Sequence, residues 1–159
     1  MTSFDDLYRQ HAPDVFRFAL YLSGNRSDAE DITAETFVRA WTAPEPIRMA
    51  TVKGYLFTIA RNLFLKSLRQ RSRQAELTDA LPDPGAGPHA HAERDSEVRA
   101  VMQELQKLPE IDRAALLMRA SHEMPYDEIA RALGISLAAV KVKIHRARLA
   151  VAHLREGSN

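Results

Sequence analysis

YDEIARALGISLAAVKVKIHRAR, residues 126–148, holds the pattern that decides the fold. A short amphipathic run ends at Leu133 and meets Gly134, the residue type that most easily takes the left-handed backbone of a tight turn. Ser136 follows as a helix N-cap, its hydroxyl placed to accept an orphan N–H of the next first turn. At about 100° per residue, Leu137, Val140, Ile144, Ala147 and Val151 share one apolar face. Lys141, Val142, His145 and Arg146 crowd the opposite face, flanked by Lys143 and Arg148. Ala130 permits a close helix crossing, and Ile129, Leu133, Ile135, Val140 and Ile144 supply a small core. Turn, cap, core spacing and basic face agree on a helix-turn-helix.

Working outward, the residues before this unit also recur at helical spacing. A helix from about Glu93 to Lys107 leads into Leu108-Pro109, Pro109 suits the first turn of a helix reaching about Ser121, and Pro125 starts a short one. Upstream, QAELTDALPDPGAGPHAHA, residues 74–92, crowds Pro82, Pro84, Gly85, Gly87 and Pro88 together and reads as a linker. In the first half Ser3 can cap a helix, with Pro13 opening its continuation and Gly24-Asn25 ending it. SDAE at 27–30 is a capping-box signature for a second helix burying Ala29, Ile32, Thr33, Phe37, Ala40 and Trp41, stopped by Pro44 and Pro46. A third helix spans roughly 52 to 72, with Leu56, Ile59, Ala60, Leu63 and Phe64 among its apolar positions. No alternating strand pattern stands out. The expected fold is all-α: helical domains at 1–73 and 93–159, joined by a flexible Pro/Gly linker at 74–92, the second domain a helix-turn-helix.

Composition narrows the function classes. The chain of 159 residues has no cysteine, which excludes disulfides, thiol sensing, iron–sulfur clusters and Cys-bearing zinc sites. Its start, MTSFDD, carries neither the basic segment nor the apolar run of a signal peptide, and no stretch is long and apolar enough for a bilayer. A cytoplasmic address without membrane insertion is expected. The net charge of +1 conceals a segregation: residues 51–73 carry six basic and no acidic side chains, residues 113–159 eight basic and four acidic, and 74–112 between them three basic and nine acidic. Two basic segments in two halves suit a polyanion touched at two places; two solvated helix faces would read the same way.

A basic face on the second helix of a helix-turn-helix is what enters a major groove, some side chains reaching base edges and others neutralising phosphate. A solvated amphipathic helix is the plainer reading, and the agreement of four independent features favours DNA. On the third helix Asn62, Lys66, Arg69 and Arg73 form one polar stripe, with Tyr55, Phe57 and Phe64 nearby; such a helix can bind unstacked single strands as well as duplex phosphate. Those aromatics can equally be core. On the second helix Asp28, Asp31 and Glu35 line one face. They fit a docking surface for a basic protein, a solvated face or, with too few converging ligands, a divalent metal. His89 and His91 sit in the linker without a third ligand, so no metal site and no cofactor is expected. No catalytic constellation or phosphate loop is present, and no enzyme is expected.

These residues resemble a family. DAEDITAETFVRAW (28–41), YLFTIARNLFLKSLRQRSR (55–73) and the stretch from Leu108 to Val151 together resemble the extracytoplasmic-function sigma factors, the two-domain minimal form of the sigma-70 promoter-recognition subunit of bacterial RNA polymerase. The resemblance implies that Asp28, Asp31, Glu35 and Arg39 dock on core polymerase. It implies that the loop from Thr42 to Gly54, with Tyr55 and Asn62, captures extruded bases of the minus-ten element, and that Arg61, Lys66 and Arg69 guide strand phosphates. Lys141, Val142, His145 and Arg146 would read the minus-thirty-five element, with Lys143, Arg148 and Arg113 or Arg119 on the DNA backbone. The linker would thread polymerase between the halves, and an anti-sigma protein is an implied further partner. The chain departs from the family pattern at Ala34, where Gln is usual, at Tyr55 for Trp, at Lys66 for Asp, and at Val142 for a small polar residue. Two rivals stand beside it: an autonomous helix-turn-helix regulator, which would bind duplex DNA tightly without polymerase, and a metal-dependent phosphoryl-transfer enzyme using Asp28, Asp31 and Glu35.

Overall fold

Ser3 opens the first helix, α1 (Phe4–Ser23), through a reciprocal capping box: its hydroxyl accepts from Asp6 N–H and its own N–H donates to the Asp6 carboxylate. The computed structural model describes residues 3–43, 49, 51–78 and 96–156. Pro13 does not open a separate helix. It lies inside α1 on the exposed side, where water can satisfy the carbonyl that its missing N–H leaves unpaired, while Val15, Phe18, Ala19 and Leu22 bury the inner face. Gly24 closes the helix in the left-handed conformation, φ 70°.

The second helix, α2 (Arg26–Thr42), starts earlier than its SDAE signature suggests. Asn25 is the N-cap, in extended conformation, its side chain accepting from Asp28 N–H at 3.0 Å; Glu30 instead pairs with Arg26 one turn back. Asn25, two residues ahead of the expected Ser27, is as strong an N-cap as Ser and accepts the N–H three residues on through its side-chain carbonyl oxygen. Ala29, Ile32, Thr33 and Phe37 are buried as expected, but Trp41 is half exposed and meets Phe4 edge-on at 5.6 Å. Trp41 falls in the last turn, where the helix leaves the core. Pro44 and Pro46 lie outside the described residues.

The third helix, α3 (Val52–Thr78), continues past residue 73 and so takes up the first five positions of the expected linker. Gln74, Ala75, Glu76 and Leu77 are all good helix formers, and the breaking residues begin only at Pro82. Residues 79–95, which hold the rest of that segment and His89 and His91, lie outside the described residues. Then come α4 (Ser96–Gln106), α5 (Glu110–Ala120), α6 (Tyr126–Leu133) and α7 (Leu137–Glu156), with Pro109 and Pro125 as N-cap residues rather than first-turn ones. The described residues contain helices and no strand.

α1, α2 and α3 pack together, and α5, α6 and α7 form a second group, but both groups contribute to one hydrophobic core. Phe18 of α1 stacks on Phe57 of α3 with ring centroids 4.6 Å apart, and His122, between α5 and α6, meets the Phe57 ring edge-on at 4.4 Å. Burial pushes the His122 imidazole down to a pKa of about 4. Polar groups complete the junction. Glu128, buried in α6, accepts from the Thr51 N–H at 3.1 Å and its hydroxyl at 2.6 Å, and a Cβ on Gly54 would stand only 2.1 Å from Glu128 Oε1. The absent side chain at Gly54 is what lets the start of α3 approach α6.

Candidate nucleic-acid and polymerase interfaces

The helix-turn-helix is built as its sequence prescribes. Gly134 terminates α6 at φ 68°, and no atom lies within 4 Å of where its Cβ would be, so glycine is required here by backbone conformation alone. Ser136 Oγ accepts from Ala139 N–H at 3.1 Å. Val140, Ile144 and Ala147 are buried with Ile129 and Leu133, and Ile135 and Val151 pack partly against them. Leu137 departs from expectation and is 44% exposed. It sits about 50° from the centre of the apolar stripe and in the first turn, where the supporting helices no longer reach.

On the outer face Lys141, Val142, His145, Arg146 and Arg148 are all exposed. Lys143 is not: its side chain is only 23% exposed and its ammonium lies 3.6 Å from Asp112 Oδ1. Arg146 Nε stands 3.7 Å from Asp112 Oδ2, yet its side chain remains 61% exposed. Of the two cations expected on the DNA backbone from α5, Arg113 is buried. Its guanidinium donates to the carbonyls of Leu105, Leu108 and Leu22, tying α5 to the end of α1. With three of its five N–H groups on carbonyls and only 7% of the residue exposed, it is not presented to solvent. Arg119 donates to Met124 O and lies over the Tyr126 ring at 4.6 Å.

Along α3, Asn62, Lys66, Arg69 and Arg73 are exposed in one stripe. Arg61 faces the other half of the chain and makes a two-pronged bond to Glu110, Nε to Oε2 at 2.8 Å and Nη2 to Oε1 at 2.7 Å. It is therefore not available to strand phosphate in this arrangement. Phe64 is core, at 4% exposure, and Tyr55 is partly buried against the same cluster. Of the loop expected to capture bases, residues 44–48 and 50 lie outside the described residues, and Val52, Lys53 and Gly54 already belong to α3.

On α2, Asp31 and Glu35 are exposed, and Glu35 is bridged to Arg39 one turn on at 3.2 Å. Asp28 is turned toward α3 and bonded to Arg71. The three carboxylates thus do not act as one set. A shallow groove between α1 and α2, lined by Tyr8, Ala12, Phe16, Thr33 and Ala34, runs beside this face. No group of three or more His, Asp or Glu side chains converges among the described residues. None of the helices described is long and apolar enough to cross a membrane.

Sequence reasoning missed the acidic partners Glu110, Asp112 and Glu128. For Asp112 a signal existed: it lies four residues from both Leu108 and Leu116, on their buried stripe, where a carboxylate is out of place without a cation.

Two family models match. Residues 7–74 match sigma-70 region 2, and residues 99–151 match sigma-70 region 4. The chain belongs to the sigma-70 family. Its relatives place it in the extracytoplasmic-function group. It is 39% identical over 155 residues to the ECF RNA polymerase sigma factor SigE of Mycolicibacterium smegmatis, covering 93% of this chain and 60% of that protein. With the sigma factor YlaC of Bacillus subtilis it shares 30% identity over 154 residues, covering 92% of this chain and 88% of the relative. In fold it is similar to the sigma factor RpoE of Bartonella quintana, solved in complex with the anti-sigma factor NepR, with a TM-score of 0.77, 23% identity and 98% of each chain covered. Members of this family are initiation factors without catalysis of their own, and an autonomous regulator or a phosphoryl-transfer enzyme is not favoured for this sigma factor.

Proposed function

We propose that this chain binds core RNA polymerase, directs it to a two-part promoter and helps open the duplex. The observation that carries the reading is the pairing, in one chain, of an exposed basic face on α7 behind a Gly turn with an exposed carboxylate face on α2, within segments matching regions 4 and 2. Asp31, Glu35 and Arg39 would meet the polymerase, with Asp28 holding α2 against α3 through Arg71. Asn62, Lys66 and Arg69 would follow the melted minus-ten strand beside Tyr55. Lys141, Val142, His145 and Arg146 would read the minus-thirty-five element, with Arg148 on phosphate. In this reading the functional units are 1–73 and 93–159. Engaging the melted strand with Arg61 requires that its bond to Glu110 open, so the packed arrangement is a resting form.

An anti-sigma protein is a fitting further partner, supported by the similarity to a sigma factor held by NepR. Work on chromosomal promoters implies a cytoplasmic address. The test is co-elution with bacterial core RNA polymerase on a sizing column at moderate salt without DNA. A one-to-one complex is expected, weakened in Asp31→Ala with promoter preference unchanged. Folded protein that never joins the polymerase would refute the proposal.

A further inference from the structure

We propose that Asp112 is a positioning residue for promoter reading: it holds Arg146 by its inner edge so that the outer edge of the guanidinium is presented to the DNA. The inference rests on α7 being the promoter-reading helix. Asp112 lies in α5, the helix that supports α7, and is 2% exposed. Its Oδ2 is buried and accepts no hydrogen bond from the described residues. A carboxylate so placed loses its hydration and must be offset by positive charge. The cations facing it come from the recognition helix: Lys143 at 3.6 Å from Oδ1 and Arg146 at 3.7 Å from Oδ2.

The two cations are used differently. Lys143 is largely buried against the carboxylate and balances its charge. Arg146 approaches the carboxylate through Nε, at ion-pair distance rather than in a hydrogen bond, and its side chain stays 61% exposed, which leaves it able to meet a base edge as well. An exposed arginine otherwise samples many rotamers, and ordering it on binding costs affinity; electrostatic attraction at its inner end lowers that cost and biases the direction of the fork. Arginine reads guanine with two parallel donors, a geometry that depends on that direction. Asp112 also stands in the first turn of α5, where an anion favours the helix whatever lies above it. The experiment must therefore separate orientation of Arg146 from support of α5.

Holoenzyme reconstituted from core RNA polymerase and the full chain is allowed to select from duplex promoters randomised over the upstream element, and the selected pool is sequenced. Arg146→Ala should flatten the preference at one or two positions. Asp112→Asn should flatten the same positions by about three- to tenfold, leave the other upstream positions intact, and add nothing in the Arg146→Ala background. Preference kept in Asp112→Asn, or lost evenly across the element in both backgrounds, overturns the proposal. If circular dichroism shows Asp112→Asn misfolded, Arg146→Lys decides: it keeps the charge beside Asp112 but lacks the fork, and retention of full preference overturns the proposal. A wild-type holoenzyme that selects no upstream sequence refutes the promoter-reading role of α7 itself and this inference with it, an outcome distinct from failure of Asp112→Asn alone.

Discussion

At the scale of single residues, charge type was legible and charge partner was not. Lys141, His145, Arg146 and Arg148 follow from helical geometry as an exposed basic face, and they are exposed. Arg61, Arg113 and Lys143 look no different in sequence, yet each is claimed by an internal partner: Glu110, three carbonyls, and Asp112. The expected consequence is a division among the basic residues. Arg146→Ala should cost about 1–3 kcal/mol of discrimination at its base while sparing polymerase association, measured by competition between promoter variants. Arg113→Ala should instead destabilise the fold, because three buried carbonyls lose their donors at about 1–3 kcal/mol for each left unsatisfied. Denaturant titration of both variants checks this contrast; equal stability for Arg113→Ala would return that residue to the DNA-contact set.

Elements were the most legible scale, because caps and periodicity act over three to seven residues. The α6–turn–α7 unit has the boundaries and the Ser136 cap that its sequence dictates, and its expected apolar positions other than Leu137 are buried or partly buried. Errors occurred where two local signals competed, as with Asn25 against Ser27 for the α2 cap, or where an element end left the core, as with Trp41 and Leu137. Gly134 offers a clean test of local backbone energetics. Since its Cβ would touch nothing, Gly134→Ala should lower stability by about 1 kcal/mol through the left-handed conformation alone, and Gly134→Asn by less. Urea midpoints with an unchanged slope would measure it. An alanine variant as stable as the parent would show that the turn tolerates another backbone conformation.

Over the whole molecule, the two halves are joined by groups that no sequence window contains together. Gly54 and Glu128 are one such pair. Gly54→Ala would ordinarily gain helix propensity, but here it displaces a buried carboxylate from Thr51; it should cost about 1–3 kcal/mol, and should turn neutral or stabilising once Glu128 is also replaced by Ala. A double-mutant cycle in urea reads the sign directly. His122 predicts a pH dependence. Its folded pKa, about 4, lies below the ordinary 6.5, so between those values the unfolded chain binds more protons and stability rises with pH. Asp14, Lys53 and Arg17 modulate the imidazole, but burial beside Phe18 and Phe57 dominates. The melting temperature should therefore fall as pH drops from about 6.5 toward 4, and His122→Phe should reduce that slope. An identical slope in the variant would remove His122 as its source. Taken alone, sequence determined the helices, the Gly turn, the exposed basic face and the family, because these depend on neighbours within a turn or two. Only tertiary structure decided that both halves share one core and that Arg61, Arg113 and Lys143 face inward. Their partners lie outside their own helices, up to 91 residues away for Arg113 and Leu22, and packing alone brings them within bonding distance.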